Sequence, residues 1–361
     1  MPSFPGQSRA WRMLAAVGLA AALLSGCGGG GGGEVADKGK DAREGIPAGA
    51  LWVAPDGDDG ASCTRGAPCA TLTAALDRAS AGATILLASG RYPEQEVHGG
   101  PAGAHDASVV IRPAPGARPR LGKLLFHTPG LELQDLKLAG WQAFSDSGQL
   151  TLRRVSTPWF FVDGASNVRM LGGSVGPADS IDPQIRAVDT NGAPVPKNIL
   201  IDGVAFHDFT NKQDPSAHVE CLQLGAGQHI VIRNSTFVRC AQHSIFAGAW
   251  GGTATIRDLT LVDNRMGSVP QGFYSIRVGV DGVSDVTLRR NTAEKVMQVD
   301  PGVPGVTMER NVAPRQPWEC FAGQRYIGNV WSDVVCSASD RKVGAHGVAE
   351  RARDRHAPPG A

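Results

Sequence analysis

Along most of the chain, hydrophobic and polar positions alternate with a period of two, and the alternation comes in units of eight residues. The unit recurs as Leu131–Leu138, Leu150–Thr157, Val168–Val175, Ile199–Phe206, Ile230–Phe237, Ala254–Leu261, Val286–Ala293 and Val306–Ala313. Positions one and three are apolar in every copy, two polar or glycine residues follow, and alternation resumes with positions six and eight mostly apolar. A period of two puts successive side chains on opposite faces of a strand, so each unit reads as strand, corner, strand.

The copies start 19, 18, 31, 31, 24, 32 and 20 residues apart. The minimum sets the length of one turn of a solenoid. One strand-corner-strand unit repeated at every turn predicts a parallel β-helix, in which each coil buries its inward side chains against the coils above and below. Upstream, Leu72, Ala75, Leu76 and Ala79 share one helical face, with Thr71 as N-cap and Gly82 just past the end. Such a helix would cover the exposed first edge of the stack.

At the N-terminus, Arg9 and Arg12 precede an apolar run from Met13 to Leu24, too short to span a bilayer comfortably. It reads as a signal peptide. Its end, Leu24-Ser25-Gly26-Cys27, resembles the bacterial lipobox, which implies lipidation of Cys27. The unbroken glycines Gly28–Gly33 begin a flexible tether. The expected organisation is a lipoprotein signal peptide at 1–26, a tether at 27–50, the β-helix at 51–339 and a disordered or loosely capping tail at 340–361. The resemblance implies an exported protein held on the cell envelope, in the outer membrane if the cell is Gram-negative, since Gly28 rather than Asp follows the cysteine.

Composition then narrows the partners. Lys+Arg 35 against Asp+Glu 34 leaves no basic excess for a phosphate backbone, so nucleic acid is not an expected partner, and the membrane is met only through the anchor. Of 7 cysteines, Cys27 is assigned to the lipid. The other six form close pairs in an exported chain: Cys63 with Cys69, Cys221 with Cys240, and Cys320 with Cys336. Disulfides between neighbours are the simplest of the fifteen connectivities. Zinc is disfavoured because no Cys-x-x-Cys is present, and Asp56, Asp58 and Asp59 read as an Asp-Gly turn rather than a calcium site, so no cofactor is expected.

The segment from Val53 to Tyr92, with its Pro-Asp-Gly, its Ala-Thr-Leu-Thr-Ala-Ala-Leu helix and its Gly-Arg-Tyr, resembles the N-terminal module of right-handed parallel β-helix proteins of the pectate-lyase-like superfamily. Together with the coils the resemblance covers residues 51–336. It implies a right-handed fold and a surface groove for acidic polysaccharide. The run His218-Val-Glu220-Cys-Leu-Gln223 is also similar to a His-x-Asp-x-x-Gln signature of bacterial β-helix proteins, with Glu220 where Asp is usual.

The long spacings place insertions after Val175, Phe206 and Leu261, all between position eight of one copy and position one of the next, hence on one side of the stack. Lys212, His218, Glu220, His243, Tyr274 and Arg277 fall in or beside three adjacent coils. These are the ingredients for β-elimination from a uronic acid: a base for the C5 proton, an acid for the leaving oxygen and a cation for the substrate carboxylate. Lys212 or His218 suits the base, Tyr274 or His243 the acid, and Arg277 the carboxylate clamp, with Asp214, Gln223 and Tyr274 as substrate contacts. Asp214 and Glu220 supply the residue types for hydrolysis instead. The functional expectation is an anchored polysaccharide lyase, with a non-catalytic glycan-binding or adhesion protein, or a glycoside hydrolase, as the alternatives.

Overall fold

The computed structural model describes residues 45–100, 108–187, 194–248, 255–279, 281–314, 320–332, 334–344, 347–348 and 350–351. Cys27, the apolar leader and the glycine run lie outside the described residues.

The body is a right-handed parallel β-helix built of three stacks of parallel strands. In the first stack, positions one and three of the repeat sit directly over one another: Ile199, Ile230, Leu259 and Val286 form one inward column, and Ile201, Ile232, Leu261, Leu288 and Met308 the next. All of these side chains are buried. The second stack carries position eight inward, with Phe206 over Phe237 and then Met266 and Ala293. The rings of Phe206 and Phe237 lie 4.7 Å apart and nearly parallel. The third stack runs through Gln95–Val97, Phe160–Asp163, Gln184–Arg186, Gln223–Leu224, Ile245–Ala247, Tyr274–Val278 and Val296–Val299. Its inward side chains include Trp141 stacked on Phe160 at 4.8 Å. Inward like-on-like stacking is what a coil repeat at β spacing demands, because each apolar side chain can be covered only by its neighbours along the axis.

Corners are made by residues in the left-handed region. One sits at position five, as in Asp135, Arg154, Asn234 and Arg290, and another just before position one, as in Gln149, Asn167, Asn198, His229, Asp258 and Asp285. Having two such corners per coil explains a misphased copy. The unit read as Ala254–Leu261 took Asp258 for a position-five corner, whereas Leu259 pairs with Ile230 and Leu261 with Ile232. The true copy is therefore Leu259–Met266, and the third insertion starts after Met266 rather than after Leu261.

The N-terminal helix is Leu72–Leu76, capped by the Thr71 hydroxyl, which accepts from the Ala74 amide at 3.2 Å. Asp59 accepts from the amides of Ala70 and Thr71, which gives this carboxylate a structural task as a helix-end anchor. At the other end, Arg341–Lys342 pairs with Val330–Trp331, and Val348 is buried against Val312 and Val330. The coils thus continue past 339, and the segment assigned to a loose tail supplies the last strand and an apolar cover. The three disulfides join Cys63 to Cys69, Cys221 to Cys240 and Cys320 to Cys336.

Candidate functional site

The three insertions meet beside the third stack. Ala178–Asp179 pairs with Phe209–Thr210, the Asp179 carboxylate accepts from the Lys212 amide at 2.7 Å, and the Ser180 hydroxyl accepts from the Asp214 amide at 2.9 Å. Buried Asn211 holds the carbonyls of Pro215 and Ala217 and takes a hydrogen bond from Gln271 at 2.8 Å, tying the second insertion to the third. Loops pinned this way deliver chemistry to a fixed place.

That place is Glu220. Its side chain is fully buried, and its Oε1 lies 2.7 Å from His218 Nδ1 and 3.1 Å from His243 Nδ1. Two ring nitrogens at hydrogen-bond distance from one carboxylate oxygen fix both imidazoles as Nδ1–H donors, which leaves each Nε2 unprotonated in the neutral ring. His218 is exposed whereas His243 is covered. His218 stacks on His243 at 5.8 Å, His243 on Tyr274 at 6.0 Å, and the Arg277 guanidinium lies over the Tyr274 ring at 5.4 Å. Arg277 also reaches Asp300 at 3.5 Å.

Asp182 is also buried and lies within reach of the Glu220 charge. Burial first, and then the Glu220 charge, push Asp182 up to about 7. Burial opposes ionisation of Glu220 as well, but the hydrogen bonds from His243 and His218 outweigh it and bring Glu220 below the usual carboxylate range. Asp182 Oδ2 and Glu220 Oε2 are both buried without a hydrogen-bond partner. Of the two acids, Asp182 is the one biased toward its neutral form and Glu220 the one biased toward its ionised form. From Asp182 a polar chain continues down the third stack: Gln184 donates to Asp182 at 3.1 Å, Arg186 to Gln184 at 2.7 Å, and Arg186 to Asp163 at 2.7 Å.

Of the residues expected from sequence, His218, Glu220 and His243 converge by direct contact, with Tyr274 and Arg277 joined to them through stacked rings. Gln223 is buried one step on, in register with Gln184 and Phe246. Cys221 and Leu222, both buried, separate Glu220 from Gln223, and Cys221 is joined to Cys240 by a disulfide. Two expectations are corrected. Lys212 contacts Asp179 through its amide, and its exposed side chain makes no described contact with Glu220 or either histidine. The Asp214 carboxylate folds back on Ser216, accepting from its amide at 3.0 Å and from its hydroxyl, so it closes a local turn instead of facing Glu220.

Asp182, Gln184 and Arg186 escaped the sequence reading. Their signal was Asp182-Pro-Gln-Ile-Arg186, alternation in which the outward face is wholly polar, within the first insertion.

His218, Glu220 and His243 also offer three ligand atoms within 4.8 Å of one another, as do Glu96, His98 and His127, so both groups have the donor set for a divalent transition metal.

No family model matches the chain, and no curated protein does. Among solved structures, a GH136 lacto-N-biosidase from Eubacterium ramulus is 11% identical, with a TM-score of 0.48 over 81% of this chain and 64% of that one. A rhamnogalacturonan lyase is 12% identical, with a TM-score of 0.48 over 82% of this chain and 86% of that one. This chain thus spans about two thirds of the lacto-N-biosidase. At these identities neither likeness carries a substrate or an activity to this protein.

Proposed function

We propose that the protein is an exported, lipid-anchored polysaccharide lyase that cleaves a uronic-acid-containing polymer by β-elimination. The observation that carries this reading is the convergence of His218 and His243 on one oxygen of the buried Glu220.

In this reading the exposed His218 takes the C5 proton of the uronate through Nε2, while Glu220 holds the ring by Nδ1 and stabilises the imidazolium that forms. Arg277 neutralises the substrate carboxylate, into which the developing negative charge spreads. The C4–O bond breaks, and the Tyr274 hydroxyl returns a proton to the departing oxygen. His243 keeps Glu220 oriented from the other side. Lys212 has no part in the step.

The test is a screen of the full chain against alginate, pectate, glycosaminoglycans and neutral glycans, following unsaturated product by ultraviolet absorbance and reducing ends in parallel. The reading expects both signals together on one uronate polymer, and a loss of at least about a hundredfold on Arg277→Ala. Binding without either signal would make the protein a glycan-binding one.

A further inference from the structure

We propose a second binding subsite on a different face, for a strand of acidic glycan: the cleft lined by Arg91, Arg120 and Lys137. The inference rests on the reading above only in that the polymer is a polyuronate.

The strands Gly90–Tyr92, Pro119–Phe126 and Lys137–Phe144 are successive members of the second stack, and Arg91, Arg120 and Lys137 lie in direct register on them. Tyr92, Leu121 and Leu138, one residue on, are buried in the core, so the three cations point outward in a single column. Neighbouring strands are about 4.8 Å apart, which sets the step between charges. The column then continues with Ser156 and Ser174, where the charge ends. Beside it lies a cleft of about 370 Å³ whose walls are these cations and the edge formed by Tyr92, Leu121, Leu138 and Ala139.

Like charges directly opposite one another across adjacent strands are destabilising. Elsewhere on this body several outward arginines are matched by acids on the preceding coil: Arg154 with Asp135, Arg233 with Asp202, Arg239 with Asp208, Arg290 with Asp263. Lys123, next to the cleft, is paired with Glu94 at 2.7 Å. Among the described residues, none pairs a carboxylate with Arg91, Arg120 or Lys137. Three cations stacked in direct register on adjacent strands, beside a cleft and without an acid among them, are a site for an external anion.

The spacing selects the anion. A linear polyuronate carries one carboxylate per sugar, a repeat close to the coil step, so a strand lying along the axis meets successive cations with successive carboxylates. An isolated phosphate would engage one or two cations and leave the column repulsive. A flat lipid surface would not enter a cleft.

Binding is measured by calorimetry on the full chain carrying His218→Ala, so that no turnover intervenes, with mono-, di- and trigalacturonate as probes. Affinity should rise with each added sugar and fall with salt, and the triple change Arg91→Gln, Arg120→Gln, Lys137→Gln should lower trigalacturonate affinity about tenfold or more. Neutral glycan binding should be unchanged, and the thermal midpoint should stay level or rise as repulsion is relieved. Equal trigalacturonate affinity with and without the triple change overturns the proposal. So does inorganic phosphate binding as tightly as the trimer, or a loss confined to phosphatidylglycerol vesicles. Failure of cleavage by the wild-type chain would sink the lyase reading and leave this result intact, because only binding is read.

Discussion

Asp182 and Glu220 put two carboxyls out of reach of solvent, and burial together with the Glu220 charge favours the protonated form of Asp182. The sign of the pH response follows. Asp182 holds its proton in the folded state up to about 7, well above its unfolded value, so the folded state binds more protons across the interval between them. Stability must therefore fall as pH rises from the ordinary carboxylate range through about 7, and be flat above it. The thermal midpoint followed from pH 5 to 8 should drop for the wild-type chain. In Asp182→Asn, whose amide does not titrate, that drop should disappear. If the wild-type and Asp182→Asn curves were parallel, a raised Asp182 would be excluded. His218 and Glu220 were legible because residues two apart in a period-two pattern share a face. Asp182 was not, because its approach depends on the pairing of Gln184 with Gln223, a register set by strands of two or three residues.

At the scale of the elements, the corner after the first stack changes character along the chain. Position six is apolar in Leu136, Val155 and Val204, then becomes Ser235, Asn264, Asn291, Asn311 and Asn329, all buried. Each asparagine of this ladder accepts from the backbone amide of the preceding member, as in Ser235 to Asn264 and Asn264 to Asn291, and donates to a main-chain carbonyl. The last rung, Asn329, accepts from the Asn311 amide and donates its own amide to Asp340, which closes the row. The burial and mutual hydrogen bonds of Asn291, Asn311 and Asn329 were not legible in the sequence, since a row forms only when coils of different length are stacked in register. Asn234 is an exposed corner residue that donates to Asp202 at 2.8 Å. Asn291→Ala would leave the Asn264 amide and the Leu261 carbonyl unpaired, at a cost of about 3 kcal/mol in denaturant unfolding. Replacing Cys221 and Cys240 together by Ser removes a cross-link closing 19 residues and should cost about 3 kcal/mol. Because Cys221 adjoins Glu220, the same change should lower activity beyond what the loss of folded protein explains.

For the molecule as a whole, the repeat made the fold visible before any coordinates, since only stacked coils explain apolar residues at the same two positions in every unit. The third stack was hidden inside what looked like insertions, because its strands are short and irregularly spaced, and it is this stack that carries His243, Tyr274 and Arg277. The proposed lipid anchor at Cys27 has its own test: Cys27→Ser should move the protein from the detergent-rich to the aqueous phase on partitioning, and continued membrane association would argue against the anchor. Chelation should leave turnover unchanged, since Glu220 already holds both histidines through Nδ1, and added zinc should inhibit by competing for them. The most direct measurement is the initial rate of ultraviolet absorbance from unsaturated uronate, taken on the polymer that the screen selects, for the wild-type chain, His218→Ala and Lys212→Ala. The account predicts a steady rise for wild type, a fall of about a hundredfold or more for His218→Ala and little change for Lys212→Ala. Equal rates in wild type and His218→Ala, or reducing ends appearing without absorbance, would contradict it.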